Sequence, residues 1–120
     1  MICVLSRSSV AASRLPAGAN VGAFDSGVYT FFLPRRVVNL DGVVNPGVQH
    51  AIDTQTLCRY MRGQHVAWFL DDRLTIPELR YFAKGVRVVA LVDLSSEYRG
   101  RDRYPVTEEQ VLAELDTSQC

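Results

Sequence analysis

Apolar residues recur along this chain in short blocks, each closed by an acid, a glycine or a proline. Val21-Gly-Ala-Phe24 is the first, ending in Asp25-Ser-Gly27, and it predicts a buried strand turning into a short helix over Val28 to Leu33. Pro34-Arg-Arg36 stops that helix, and Val37-Val-Asn-Leu40 is a second β-branched block, closed by Asp41-Gly42. Asn45-Pro-Gly47 then offers a helix N-cap followed by proline at the first helical position. Val48, Ala51, Ile52, Leu57, Tyr60 and Met61 continue at helical spacing, as two helices meeting near Asp53-Thr54, the second ending at Gly63. Val66-Ala-Trp-Phe-Leu70 has strand length and stops at Asp71-Asp72. Thr75 and Glu78 form a capping-box pattern opening a helix that turns Leu79, Phe82 and Ala83 inward and ends at Gly85. Val86 to Val92 is the fourth strand, before Asp93.

The order is β-α-β-α-β-α-β, with strands apolar on both faces. Such strands belong to a sheet covered on two sides, so the expected fold is a three-layer α/β domain with a Rossmann-like, mainly parallel sheet of four or five strands. Ser95 to Tyr104 is charged and without apolar period, a solvated loop, and Pro105 to Leu115 reads as a closing helix capped by Thr107, with Glu108 and Glu109 in its first turn. Leu15-Pro-Ala-Gly-Ala-Asn20 is turn-rich, so residues 1–19 read as an N-terminal segment and linker, and 20–120 as a single domain.

Composition narrows the function classes. At 120 residues, 48% apolar and 22% charged, the chain is one globular domain rather than a disordered tail. Thirteen basic and thirteen acidic residues cancel, which removes the general attraction that nucleic-acid binding uses. Cys3, Cys58 and Cys120 contain no CxxC pair and have only His50 and His65 to join them, so zinc is not indicated. Cys58 reads as a small hydrophobe in a helix, and Cys3 and Cys120 as residues of fraying termini. The first residues hold too few apolar side chains for a secretory segment, and no stretch approaches the roughly 18 apolar residues of a membrane span.

The chemistry-bearing pattern is the aspartate at each strand end: Asp25, Asp41, Asp71 or Asp72, and Asp93. In a parallel sheet these ends share the edge where ligands bind. Asp41, Asp71 and Asp93 could there ligate a divalent cation such as Mg²⁺, or the acids could accept hydrogen bonds from sugar hydroxyls, or cap the following helices. No GxGxxG or GxxxxGK run is present, so no nucleotide cofactor is implied. Asp41-Gly-Val-Val44 faintly resembles the aspartate loop of haloacid-dehalogenase phosphatases, but its first carboxylate would fall at Asn39, and an amide is no phosphoryl acceptor. Ser26 lacks a GxSxG elbow and reads as a turn residue. Arg35, Arg36, Arg99, Arg101 and Arg103 read as solvated, with contact to an anionic headgroup as the sharper alternative.

Taken together, Val21-Gly-Ala-Phe-Asp-Ser-Gly27, Arg36-Val-Val-Asn-Leu-Asp-Gly-Val-Val-Asn45, Leu57-Cys-Arg-Tyr-Met61 and Val66-Ala-Trp-Phe-Leu-Asp71 resemble the soluble tail of bacterial polytopic membrane proteins of the glycosyltransferase-C type. The resemblance spans about residues 15 to 95. It implies an extracytoplasmic accessory domain beside a membrane-embedded partner, helping to bind a carbohydrate or lipid-linked sugar. That family's catalytic acids lie between membrane helices, which this sequence lacks. The expectation is therefore a non-catalytic recognition module without cofactor, with Asp25, Ser26, Asn39, Asp41 and Asn45 as ligand-binding residues. The alternatives are an Mg²⁺-dependent phosphoryl- or glycosyl-transfer enzyme using the strand-end aspartates, and a module that only packs against a protein partner.

Overall fold

The computed structural model describes residues 13–24, 35–42, 45–94 and 110–120. Among them run β1 Asn20–Ala23, β2 Arg36–Asn39, α1 Pro46–Asp53, α2 Leu57–Gly63, β3 Val66–Asp72, a 3-10 turn Arg73–Thr75, α3 Ile76–Phe82, β4 Arg87–Asp93 and β5 Gln110–Asp116. The helix expected over Val28 to Leu33, the charged loop up to Tyr104, Cys3 and the Thr107 cap lie outside the described residues.

Local chemistry explains the helix boundaries. Asn45 is extended at the N-cap of α1, its side-chain oxygen accepts the Val48 N–H at 3.4 Å, and Pro46 follows where no amide donor is needed. Gln55, at φ 57, takes the left-handed conformation that separates α1 from α2.

The sheet order is β2-β1-β3-β5-β4. β1 pairs in parallel with β2 and β3, whereas β5 runs antiparallel between β3 and β4. The sheet is therefore mixed, and the expectation of a mainly parallel, Rossmann-like sheet is wrong. One segment causes the difference: residues 110–116, expected at the end of a helix, form β5. Val111, Leu112 and Leu115 suit a helical stripe equally well, but between β3 and β4 the segment gains a ladder on each side. Gln110 through Ala113 and Leu115 are buried there. β4 still runs in the sense of β1, β2 and β3, because two antiparallel steps restore the direction.

The core lies on both faces. On one, Val38, Leu40, Phe69, Val111 and Ala113 meet Val48, Ala51, Leu57, Met61, Leu79 and Ala83 from the three helices. On the other, Val21, Ala23, Leu70 and Leu112 pack with Leu15 and Leu94. Trp68 and Phe69, adjacent in β3, divide between these faces as strand alternation requires. β4 departs from the expected double burial: it is an edge strand of the described sheet, with Val89 46% and Leu91 49% exposed. Its first residue, Arg87, pairs with Asp116 of β5 at 2.9 Å. Hydrogen bonds from the Ser118 hydroxyl and amide, with Arg87 after them, hold the Asp116 carboxyl below its ordinary pKa.

Gly22 of β1 sits where a Cβ would lie 2.9 Å from Leu40 Cδ1 and 3.2 Å from Val66 Cγ1. Both neighbours are buried and cannot move aside cheaply. Gly22→Ala is thus expected to lower stability by about 1–3 kcal/mol, outweighing the entropy that alanine removes from the unfolded chain. Urea unfolding should show a lower midpoint at unchanged slope, and an unaltered midpoint would contradict this packing.

Candidate functional site

A cleft of about 480 Å³ opens beyond the carboxyl ends of β1 and β2, on the helix side of the sheet. Phe24 follows β1, and Leu40, Asp41 and Gly42 follow β2; α1 contributes Gln49 and Ile52, and α3 contributes Glu78 and Phe82. Two phenylalanines therefore share the cleft with two carboxylates and an amide.

Hydrogen bonds hold these walls. The Leu40 amide donates to the Ala23 carbonyl at 2.9 Å, continuing the β1–β2 ladder to the cleft floor. Asp71, only 4% exposed, accepts the Phe24 N–H on Oδ2 at 2.8 Å and the Asp72 N–H on Oδ1 at 2.7 Å. Its carboxylate thereby ties the end of β1 to β3 and fixes the start of the Phe24 wall. The Phe24 ring meets Phe69 edge to face, with centroids 5.7 Å apart. Gly42 lies against the Gln49 side chain, whose amide nitrogen also donates to Asp53 Oδ1 at 2.8 Å.

The residues singled out by sequence have diverse placements. Asp41 lines the cleft. Asn39 is a turn former, its Oδ1 accepting the Asp41 N–H. Asn45 caps α1 and also donates to the Asn39 carbonyl at 2.9 Å and to the Tyr60 hydroxyl at 3.2 Å. Asp25 and Ser26 lie outside the described residues. Asp72 caps the 3-10 turn by accepting the Leu74 N–H at 2.9 Å. Asp93 forms an ion pair with Arg73. Arg35 and Arg36 donate to backbone carbonyls, of Pro16 and of Gln64 respectively.

The three aspartates considered as cation ligands are spread across the sheet. Asp41 follows β2 at one edge, Asp93 ends β4 at the other, and four strand spacings, about 19 Å, separate those strands. Among the described residues, no three histidines, cysteines or acids group closely enough to hold a metal ion.

Sequence reasoning missed Gln49, Glu78 and Phe82. Glu78 was assigned to a capping box, yet Thr75 makes no side-chain cap; its hydroxyl donates to the Asp72 carbonyl at 2.6 Å. Phe82 was expected to face the core and is instead 37% exposed. A helical wheel does not reveal this, since it places Phe82 only about 60° from buried Leu79.

The fold and the cleft define a mixed α/β domain with a ligand-sized opening at the ends of its parallel strands. The chain belongs to the family described as Domain of unknown function (DUF8728), whose model matches residues 6–112. No curated protein and no solved structure matches it. The family match carries no link to glycosyltransferase-C membrane proteins. Among the described residues, no helix is long and apolar enough to cross a membrane.

Proposed function

We propose that this domain recognises a carbohydrate or a sugar headgroup, and does so without catalysis. The mixed lining of one cleft supports this: Phe24 and Phe82 beside Asp41, Gln49 and Glu78, around about 480 Å³. A sugar ring presents an apolar C–H face and a rim of hydroxyls. Aromatic rings match the face, while carboxylates and an amide accept from vicinal hydroxyls and fix orientation. We place the module beside a membrane-embedded, sugar-transferring partner on an extracytoplasmic face. The Cys58–Cys120 disulfide supports that setting, because such bonds persist in oxidising compartments.

Titration of monosaccharides followed by protein NMR tests the reading. Hexoses should shift the Phe24, Gln49 and Phe82 resonances saturably, and Phe82→Ala should weaken binding by about tenfold through loss of the aromatic contact. Silence of these resonances across a hexose panel would sink the proposal. A second reading has one observation in its favour, that Asp41 and Glu78 line the same cleft. Saturable Mg²⁺ binding abolished by Asp41→Asn would favour metal-assisted transfer chemistry over recognition.

A further inference from the structure

A second pocket, of about 370 Å³, is lined by Ile52, Gln55, Tyr81, Phe82 and Lys84. Ile52 and Phe82 also line the cleft just described, so the two cavities adjoin across a shared apolar wall. Each has a volume in the range of roughly 300–1,000 Å³ usual for small-molecule sites. Their charges are segregated. The described lining of the cleft carries two carboxylates, Asp41 and Glu78, and no cation. The described lining of the second pocket carries the Lys84 ammonium and no carboxylate.

Lys84 is exposed and stands in the turn that closes α3. It follows α3 by two residues, and Gly85 after it takes φ 102, a turn conformation that side-chain-bearing residues rarely adopt. Its Nζ lies 6.0 Å from the centroid of the Tyr81 ring, within reach of a cation–π contact. Tyr81, 70% exposed, and Phe82 stand edge to face at 5.1 Å, so the ring beside the ammonium contacts the ring between the two cavities. Gln55, in the left-handed turn between α1 and α2, brings an amide to the same pocket. The pocket thus offers an ammonium, a phenol hydroxyl and an amide N–H, all donors suited to an anionic oxygen.

We infer that the two adjoining cavities are subsites for one hydroxylated ligand carrying a phosphate monoester, with hydroxyls in the cleft and the phosphate reaching over the shared wall to Lys84. This rests on the sugar-recognition reading for its first subsite alone. Lys84 supplies the cation in the described lining of the second pocket, so the ligand enters with its phosphate toward Lys84. The seam of Ile52 and Phe82 takes the apolar edge between the two groups.

Glucose, a glucose phosphate monoester and inorganic phosphate, titrated into the whole chain by calorimetry and NMR, separate the possibilities. The phosphate ester is expected to bind about tenfold more tightly than glucose, as one charge-assisted hydrogen bond at a solvent-facing site supplies. That gain should shrink as salt is raised. Lys84→Gln should bring the ester down to the affinity of glucose, and Lys84→Arg should keep most of the gain. An ester no tighter than glucose, or a gain that survives Lys84→Gln, overturns the inference while leaving sugar recognition standing. If glucose fails to bind but the ester binds in a Lys84-dependent way, sugar recognition by the cleft falls and the phosphate subsite remains. Inorganic phosphate should compete with the ester, and its failure to do so would place the ester's phosphate elsewhere.

Discussion

Alanine in place of Cys58 is expected to lower the stability of the oxidised protein by about 4 kcal/mol, the loop-closure entropy of a crosslink spanning 62 residues. Cys58 is buried in α2, and Cys120 follows β5, so their bond joins the helix layer to the chain beyond the inserted strand. The Cα atoms stand 5.5 Å apart, within the normal span of a disulfide. Gly85 lies beside the bond, where a Cβ would make ordinary contact at 3.4 Å from Cys58 Sγ and 3.6 Å from the Cys120 Cα, so it is the φ of 102 that calls for glycine. Cys58 is the small buried residue of a helix that the sequence suggests, and the bond adds the partner which that reading lacked and ties down Cys120, read there as part of a fraying terminus. Urea unfolding of Cys58→Ala, Cys120→Ala and the double variant checks it. Each single change should cost nearly the full amount, and the double change little more, because either one breaks the same crosslink. Additive losses, or wild-type stability unchanged by a reductant, would show that the bond contributes nothing.

The elements from β1 to β4 were legible because each is written locally. Asn45 and Pro46 mark the start of α1, and short apolar blocks ending in aspartate mark β2 and β3. β5 was not legible. Its Val111, Leu112 and Leu115 suit a helix as well as a strand, and the choice is made by the slot between β3 and β4, which no local pattern encodes. Mistaking that one segment produced the wrong sheet. The disulfide was hidden for a similar reason, since three cysteines at wide spacing do not reveal which two meet. Exposure of β4 was hidden too, because an apolar run reads alike in the middle of a sheet and at its edge.

The candidate site was half legible. Acids at strand ends drew attention to the margin of the sheet, where Asp41 lines the cleft. The rest of the lining comes from α1 and α3, brought there by packing of Ala51 and Leu79 on the sheet rather than by any motif. Asn39 and Asn45 illustrate the converse. Both have the chemistry of ligand-binding residues, yet their amides serve a turn and a cap that fix Asp41 and α1. They hold Asp41 and α1 at the margin of the cleft.

Asp71 carries the sharpest version of that distinction, and its replacement by alanine should cost about 2–4 kcal/mol. The carboxylate is buried, and it accepts two backbone amides, those of Phe24 and Asp72. Alanine leaves both half-buried donors without that acceptor, and each such loss costs about 1–2 kcal/mol. Asp71→Asn should lose roughly half as much, since one oxygen remains to accept while the new NH₂ faces an N–H group. The loss should be the same with and without Mg²⁺, because the role is to hold the end of β1 against β3. If Mg²⁺ stabilises the wild type and that gain disappears in Asp71→Ala, the residue is a cation ligand and the structural role fails. The two roles also differ in what reaches the cleft. Loosening the Phe24 amide should shift the resonances of its ring and of Phe69, and should weaken hexose binding in Asp71→Asn even where the protein stays folded. Unaltered hexose affinity in that variant would separate the buried clamp from the site that it frames.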